Sequence, residues 1–238
     1  MKYRTLWISD LHLGTQHSAV EELMDFLKHN EFETIYLVGD IIDLWQLKRK
    51  HYWPQSHNDV IQKLLRKSRK GSKIIYIPGN HDEFMTSFIG NYGNVSIQKQ
   101  AIHTTVKGKT YIVVHGHEFD MISKNVQWIS VIGDIGYQIL LNLNGVVNWS
   151  RRIFNLEPWS LSAYVKNKAK LVANFVSKFE DAITHFAELH KTTGIICGHI
   201  HSPAKRKIGK HEYWNTGDWV ESKSALVEHL DGRMEIIQ

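Results

Sequence analysis

Along this 238-residue chain, five short apolar runs stop abruptly in the same few residue types: glycine, aspartate, asparagine and histidine. Thr5 to Ser9 ends in Asp10-Leu11-His12, and Thr34 to Val38 ends in Gly39-Asp40. Lys73 to Ile77 ends in Pro78-Gly79-Asn80-His81-Asp82, Thr110 to Val114 in His115-Gly116-His117, and Ile195 to Cys197 in Gly198-His199-Ile200-His201. Continuous apolar runs of this length read as strands buried on both faces. Between the first two, Val20, Leu23, Met24 and Leu27 recur at helical spacing from about Ala19 to His29. Strand, helix and strand in succession mark a parallel sheet, so the polar stops gather at one edge of it. Gly-His-x-His alone would be an ordinary surface pair; four matching stops elsewhere make that edge a chemical site. Gly198 is expected to let the backbone turn tightly there.

The rest of the chain fits one α/β domain over residues 1–238, with a core supported by 42% hydrophobic and 22% charged residues. Asp59 to Lys70 reads as a helix with Val60, Ile61, Leu64 and Leu65 inward, and Lys63, Arg66, Lys67, Arg69 and Lys70 on a solvated face. A hairpin turns at Lys107-Gly108-Lys109, and two more at Gly209-Lys210 and Asp231-Gly232. From about Phe119 to Lys191 only helical periodicity is present, punctuated at Pro158. Residues 119–170, rich in Trp and Leu, read as a helical cap inserted between two strands, and about Val172 to Leu189 as a packing helix.

The net charge of +5 admits an anionic partner without choosing one. The single cysteine, Cys197, forbids an intrachain disulfide, fits a reducing cytosol, and among apolar neighbours reads as a buried structural thiol. Trp128 to Trp149 is apolar, but Asp134, Gln138, Asn142, Asn144 and Asn148 interrupt it, which favours an amphipathic helix over a membrane span. The apolar residues after Met1-Lys2-Tyr3-Arg4 are too few for a secretory core. The expectation is a cytoplasmic protein with peripheral contact at an anionic membrane face, the basic pair Arg151-Arg152 lying beside the apolar insertion.

Asp10, His12, Asp40, Asn80, His115, His199 and His201 form a mixed oxygen and nitrogen set suited to Mn, Fe, Co, Ni or Zn. Seven ligands are too many for one ion and right for two, with a carboxylate such as Asp40 able to bridge. Water made acidic by both cations would then attack phosphorus in line. The neutral amide of Asn80 leaves more positive charge for an anionic substrate than a carboxylate would. His81, pointing elsewhere from Asn80, is a candidate phosphate contact or leaving-group acid, oriented by Asp82 or another carboxylate. His117 is ambiguous from the sequence, a supporting or surface position being favoured over a ligand. His17, His29, His51, His57, His103, His185, His190, His211 and His229 are placed on helix surfaces, loops or late strands and receive no role.

Taken in order, Asp-x-His, Gly-Asp, Gly-Asn-His-Asp, His-Gly-His and Gly-His-x-His resemble the calcineurin-like metallophosphoesterase superfamily. The resemblance implies a four-layer α/β/β/α sandwich. One metal would take Asp10, His12 and His201, the other Asn80, His115 and His199, and Asp40 would be shared. A narrower resemblance rests on Gly39-Asp-Ile-Ile-Asp-Leu-Trp45, His115-Gly-His-Glu-Phe-Asp120, Trp159-Ser-Leu-Ser-Ala-Tyr164 and Gly217-Asp-Trp-Val-Glu221. These are similar to the bacterial UDP-2,3-diacylglucosamine pyrophosphohydrolases of lipid A synthesis. The implied reaction is cleavage of a lipid-linked nucleotide to UMP and 2,3-diacylglucosamine 1-phosphate, with manganese the leading metal. Asn80, His81, His199, Asn167 and Lys170 would contact substrate. His81 in place of an arginine and Ala163 in place of a serine set the chain in a sister branch. Two other readings stand below this one: a phosphodiesterase for a soluble nucleotide or nucleic acid, and a non-catalytic binding scaffold, which would have shed ligands retained here.

Overall fold

The computed structural model describes residues 1–119 and 178–238. The cap expectation over 119–170, with Asn167, Lys170 and Ala163, falls almost wholly outside them. The chain divides into two compact units, Met1–Glu118 with Ile183–Gln238, and Phe119–Ala182. In the second, Phe119 and Phe179 meet edge to face at 6.3 Å.

The first unit is built on two mixed sheets. β1 (Lys2–Ile8), β2 (Glu31–Val38) and β3 (Lys73–Ile77) run parallel, joined by α1 (Val20–His29) and by α2 (Leu44–Arg49) with α3 (Gln55–Arg69). β4 (Gly90–Tyr92) and β5 (Val95–Ile97) extend one edge, and β11 (Ala225–Glu228) with β12 (Met234–Ile237) the other, in the order β12-β11-β1-β2-β3-β5-β4. The second sheet has the order β6-β7-β8-β10-β9: β6 (Ala101–Thr104), β7 (Thr110–Val113), β8 (Gly194–Cys197), β9 (Ala204–Ile208) and β10 (His211–Asn215). Its central β7, β8 and β10 are parallel, with antiparallel edges.

Alternation along the strands divides the core between two faces. Leu6, Ile8, Ile35 and Leu37 pack with Leu23 and Leu27 of α1 and Val60 and Leu64 of α3. The intervening Trp7, Tyr36 and Val38 point the other way, into a cluster with Tyr111, Val113, Ile196 and Trp214 of the second sheet. Each fully buried side chain of this size contributes about 1.5–3 kcal/mol, so both faces of β1 and β2 stabilise the fold. The result is the mixed α/β architecture expected, two sheets flanked by helices, including one over residues 178–189 that buries Ile183 and Ala187.

Several sequence expectations change. α3 starts directly after Pro54 rather than at Asp59, and its faces are reassigned at two positions. Leu65 is 54% exposed, whereas Lys67 is buried, its ammonium donating to the Asn30 carbonyl (2.5 Å) above the Phe32 ring. Three of the histidines placed on helix surfaces, loops or late strands are buried. His57 accepts from the Gly14 amide at 2.9 Å, His103 pairs with Glu228 at 2.9 Å, and His211 donates to the Thr192 carbonyl at 3.1 Å. These are interior polar residues with partners, which apolar periodicity does not detect. α2, β4, β5 and the 3₁₀ turn Glu83–Phe88 had no signal beyond short, irregular apolar content.

Candidate metal centre

All six central parallel strands, β1, β2 and β3 in one sheet and β7, β8 and β10 in the other, discharge their carboxyl ends at one edge. That is where open α/β sheets place ligands. Backbone bonds lock the exits together: Asp10 N donates to Gly39 O (3.0 Å), His12 N to Asp40 O (3.0 Å) and Gly198 N to His115 O (2.9 Å). Gly198 is required for a different reason from the one expected. A Cβ there would lie 2.2 Å from Ser9 Oγ and 2.5 Å from Asp10 Oδ2, so the glycine serves close approach of two strand ends.

Six of the seven proposed ligands fall into two groups. Asp10, His12 and His201 offer ligand atoms all within 4.8 Å of one another, and so do Asp40, His115 and His199. In the first group, His201 Nε2 lies 3.2 Å from Asp10 Oδ1 and 3.4 Å from His12 Nε2. In the second, His115 Nε2 lies 3.3 Å from Asp40 Oδ2. The other carboxylate oxygens tie the groups to the frame, Asp10 Oδ2 accepting from His199 N (2.9 Å) and Asp40 Oδ1 from His81 N (2.8 Å). His115 Nδ1–H donates to the Val38 carbonyl at 2.8 Å, which turns Nε2 toward the site.

Three observations fit this set to divalent cations. Asp10 Oδ1, Asn80 Oδ1 and His115 Nε2 are buried without a hydrogen-bond partner, an expensive condition unless another group satisfies them. Asp10, His12, Asp40, His199 and His201 all have positive φ, from 46° to 67°, a strained region that clusters at functional sites. The field also favours positive charge. Burial alone would pull the His115 imidazole down, yet Asp40 and Asp10 raise it to about 10. Asp40 lies below the ordinary carboxylate range for the reciprocal reason: burial raises it, and His115 and His81 outweigh burial.

Asp43 is a site residue that sequence reading missed. It is buried, and its Oδ2 lies 3.1 Å from both His12 Nδ1 and His81 Nδ1. Its Oδ1 caps α2 by accepting from Gln46 N at 2.8 Å. Burial would raise its pKa, and the two imidazoles hold it well below the usual range instead. Its sequence signals are an aspartate one residue before a short helix and its place in the Gly39 to Trp45 motif. Asp43, not Asp82, therefore orients His81. Asp82 accepts from Gly79 N (2.6 Å) and Ile41 N (2.8 Å), holding the exits of β2 and β3. His81 itself lies against the Trp45 ring at 4.3 Å, with Nε2 4.0 Å from Asp40 Oδ2. His117 lies beside this group, its ring 5.5 Å from His115 and 6.4 Å from His199 and its Nδ1 buried without a hydrogen-bond partner. Cys197 is buried and pushed up to about 12 by that burial, confirming an inert thiol.

The family model for the calcineurin-like phosphoesterases matches residues 3–203. The chain belongs to that family. It is accordingly a metal-dependent phosphoesterase, and the family implies divalent ions at the strand edge. Among its relatives as a calcineurin-like phosphoesterase is a UDP-2,3-diacylglucosamine hydrolase from Psychromonas ingrahamii, 23% identical, covering 96% of this chain and 94% of that protein. Another protein of that name, from Porphyromonas gingivalis, is 25% identical over 126 residues, about half of either chain (50% and 47%). Among solved structures, a hypothetical protein from Pyrococcus horikoshii shares the fold: TM-score 0.53, 9% identity, covering 100% of this chain and 88% of that one.

Proposed function

We propose that this phosphoesterase hydrolyses the pyrophosphate bond of UDP-2,3-diacylglucosamine, or a closely similar lipid-linked nucleotide, to UMP and 2,3-diacylglucosamine 1-phosphate. The observation that carries the chemistry is the pair of ligand groups converging at one strand edge with orphaned donor atoms. The substrate rests on the near full-length likeness to relatives bearing that name. In this reading Asp10, His12 and His201 hold one divalent ion, Asn80, His115 and His199 the other, and Asp40 serves both. Manganese suits the mixed oxygen and imidazole donors. When bound, the ions acidify water and offset charge developing on the phosphoryl oxygens.

The protein's own residues do the remaining work. Asp40, below its ordinary range, stays ionised throughout the working pH range. His12 is held by Asp43 with Nε2 facing His201. For His81, burial lowers the pKa but Asp43 and Asp40 raise it more, so the imidazole keeps its proton to higher pH than a free histidine does. That protonated ring can bind a phosphate oxygen or give its proton to the leaving group. Asn167 and Lys170 complete the proposed substrate contacts. A cytoplasmic location with peripheral membrane contact accompanies a lipid substrate, and among the described residues no helix is long and apolar enough to cross a membrane.

The test offers UDP-2,3-diacylglucosamine beside bis-p-nitrophenyl phosphate with manganese present. UMP release at far higher kcat/KM than diester cleavage is expected. Diester cleavage alone would remove the substrate assignment and point to soluble nucleotides.

A further inference from the structure

The opposite end of the first sheet carries a second feature that the phosphoesterase chemistry does not use. Where β1 and β2 begin, and where α1 and α3 end, a cavity of about 600 Å³ opens. Its lining carries six cations, Lys2, Lys28, Lys63, Arg66, Lys67 and Lys70, and two carboxylates, Glu31 and Glu33. β2 alone places it roughly 23 Å from the carboxyl edge, at about 3.3 Å per residue.

The charges in this cavity do not balance. Lys2 pairs with Glu33 at 3.5 Å, and the buried Lys67 donates to the Asn30 carbonyl, its ammonium depressed by burial and by Lys63 with only partial relief from Glu31. Lys28, Lys63, Arg66 and Lys70 have no ion-pair partner among the described residues. Partial burial, then crowding by Arg66, Lys70 and Lys28, depresses the Lys63 ammonium, so these cations act on one another. A bland cause exists for basic residues here, because cations suit helix C-termini. Two helix ends supply together only about one negative charge, however, against four cations. Lys63 also lies two turns before the end of α3, beyond the reach of the terminal carbonyls.

We propose that this cavity binds a small ligand carrying two or more phosphate groups, at a site separate from the metal centre. Four unneutralised cations match the charge of such a ligand, and the concave volume falls in the range that encloses small molecules. A membrane surface fits less well. Docking this end on a bilayer would turn the carboxyl edge with the catalytic residues away from it.

The test is calorimetric titration of the metal-loaded protein with fructose 1,6-bisphosphate and, separately, with orthophosphate. The K63E/R66E variant should lose at least tenfold in bisphosphate affinity while its turnover of bis-p-nitrophenyl phosphate is unchanged. R69E, which alters the same helix outside the cavity lining, should keep wild-type affinity, and orthophosphate should bind the wild type at least tenfold more weakly. Equal bisphosphate affinity in K63E/R66E and wild type would overturn the proposal, as would an equal loss in R69E. Sedimentation with phosphatidylglycerol vesicles that K63E/R66E abolishes, without competition from the bisphosphate, would overturn it in favour of a membrane-docking face.

Discussion

Asp43→Asn isolates the part of the site that connects its two functions. The amide keeps the volume and an oxygen able to cap α2 at Gln46 N, so helix stability is spared. What it loses is the negative charge 3.1 Å from both His12 Nδ1 and His81 Nδ1. A hydrogen bond to a charged partner contributes about 1.5–3 kcal/mol. Carboxylates that orient a metal-binding histidine matter by roughly 10–100-fold in affinity or activity. Through His12, the variant should need about tenfold more manganese for half-maximal activity. Through His81, it should show a further loss of kcat, of about tenfold, that saturating manganese does not restore. His81→Ala should show only the second effect. The assay is bis-p-nitrophenyl phosphate turnover across a manganese titration, with circular dichroism as a folding control. If Asp43→Asn stays within twofold of wild type in both quantities, the shared-carboxylate account is wrong.

Other consequences are simpler. Because Asp40 and Asp10 outweigh burial and raise His115 to about 10, a proton occupies that ring when chelator has removed the metal, and Asp10 shifts His201 in the same direction. Manganese must displace that proton, so its apparent affinity should climb between pH 6 and 8, by up to about tenfold per unit for each proton released; a pH-independent isotherm would refute this. Gly198→Ala forces a Cβ onto Ser9 Oγ and Asp10 Oδ2, and should cost about 3 kcal/mol or more with loss of activity, read by thermal melting and turnover. Glu228, fully buried far from the metal centre, accepts from Arg4, Thr5 and the Val106 amide and pairs with His103. Burial raises its pKa, but His103 and the other donors pull it below 4.5, so its contribution exists above that pH and is lost on acidification. Glu228→Gln should therefore lower stability by about 2–3 kcal/mol near neutrality and flatten the acid limb of the denaturation profile, with turnover per folded molecule intact.

Five of the six central parallel strands are legible because each is a continuous apolar run ending in a polar stop, and the same stops name the seven candidate ligands; β10, His-Glu-Tyr-Trp-Asn, has no such run. Sequence spacing also separates Asp10 and His12 correctly onto one strand exit. It does not reveal partners that come from other elements. Asp43 stands in the Gly39 to Trp45 motif and caps a helix, but its reach to two imidazoles depends on how the β1 and β2 exits are bonded together. Lys67 and Leu65 were exchanged because a lysine can bury its stem and ammonium when a carbonyl and an aromatic face receive them. His57, His103 and His211 escaped for the same reason: a satisfied interior histidine carries no hydropathy signal. Gly198 is needed not for turn chemistry but for close packing against Ser9 and Asp10, a contact between two strand ends that local sequence does not encode.

On the proposed ligand assignment, these strand ends build one centre for two divalent ions. The most direct measurement is metal content by elemental analysis after manganese loading and removal of free ion, in wild type, His201→Ala and His115→Ala. The account predicts two ions per wild-type chain and about one in each variant, with diester turnover abolished in both. A single ion in the wild type, or two ions and near-normal turnover in either variant, would contradict it.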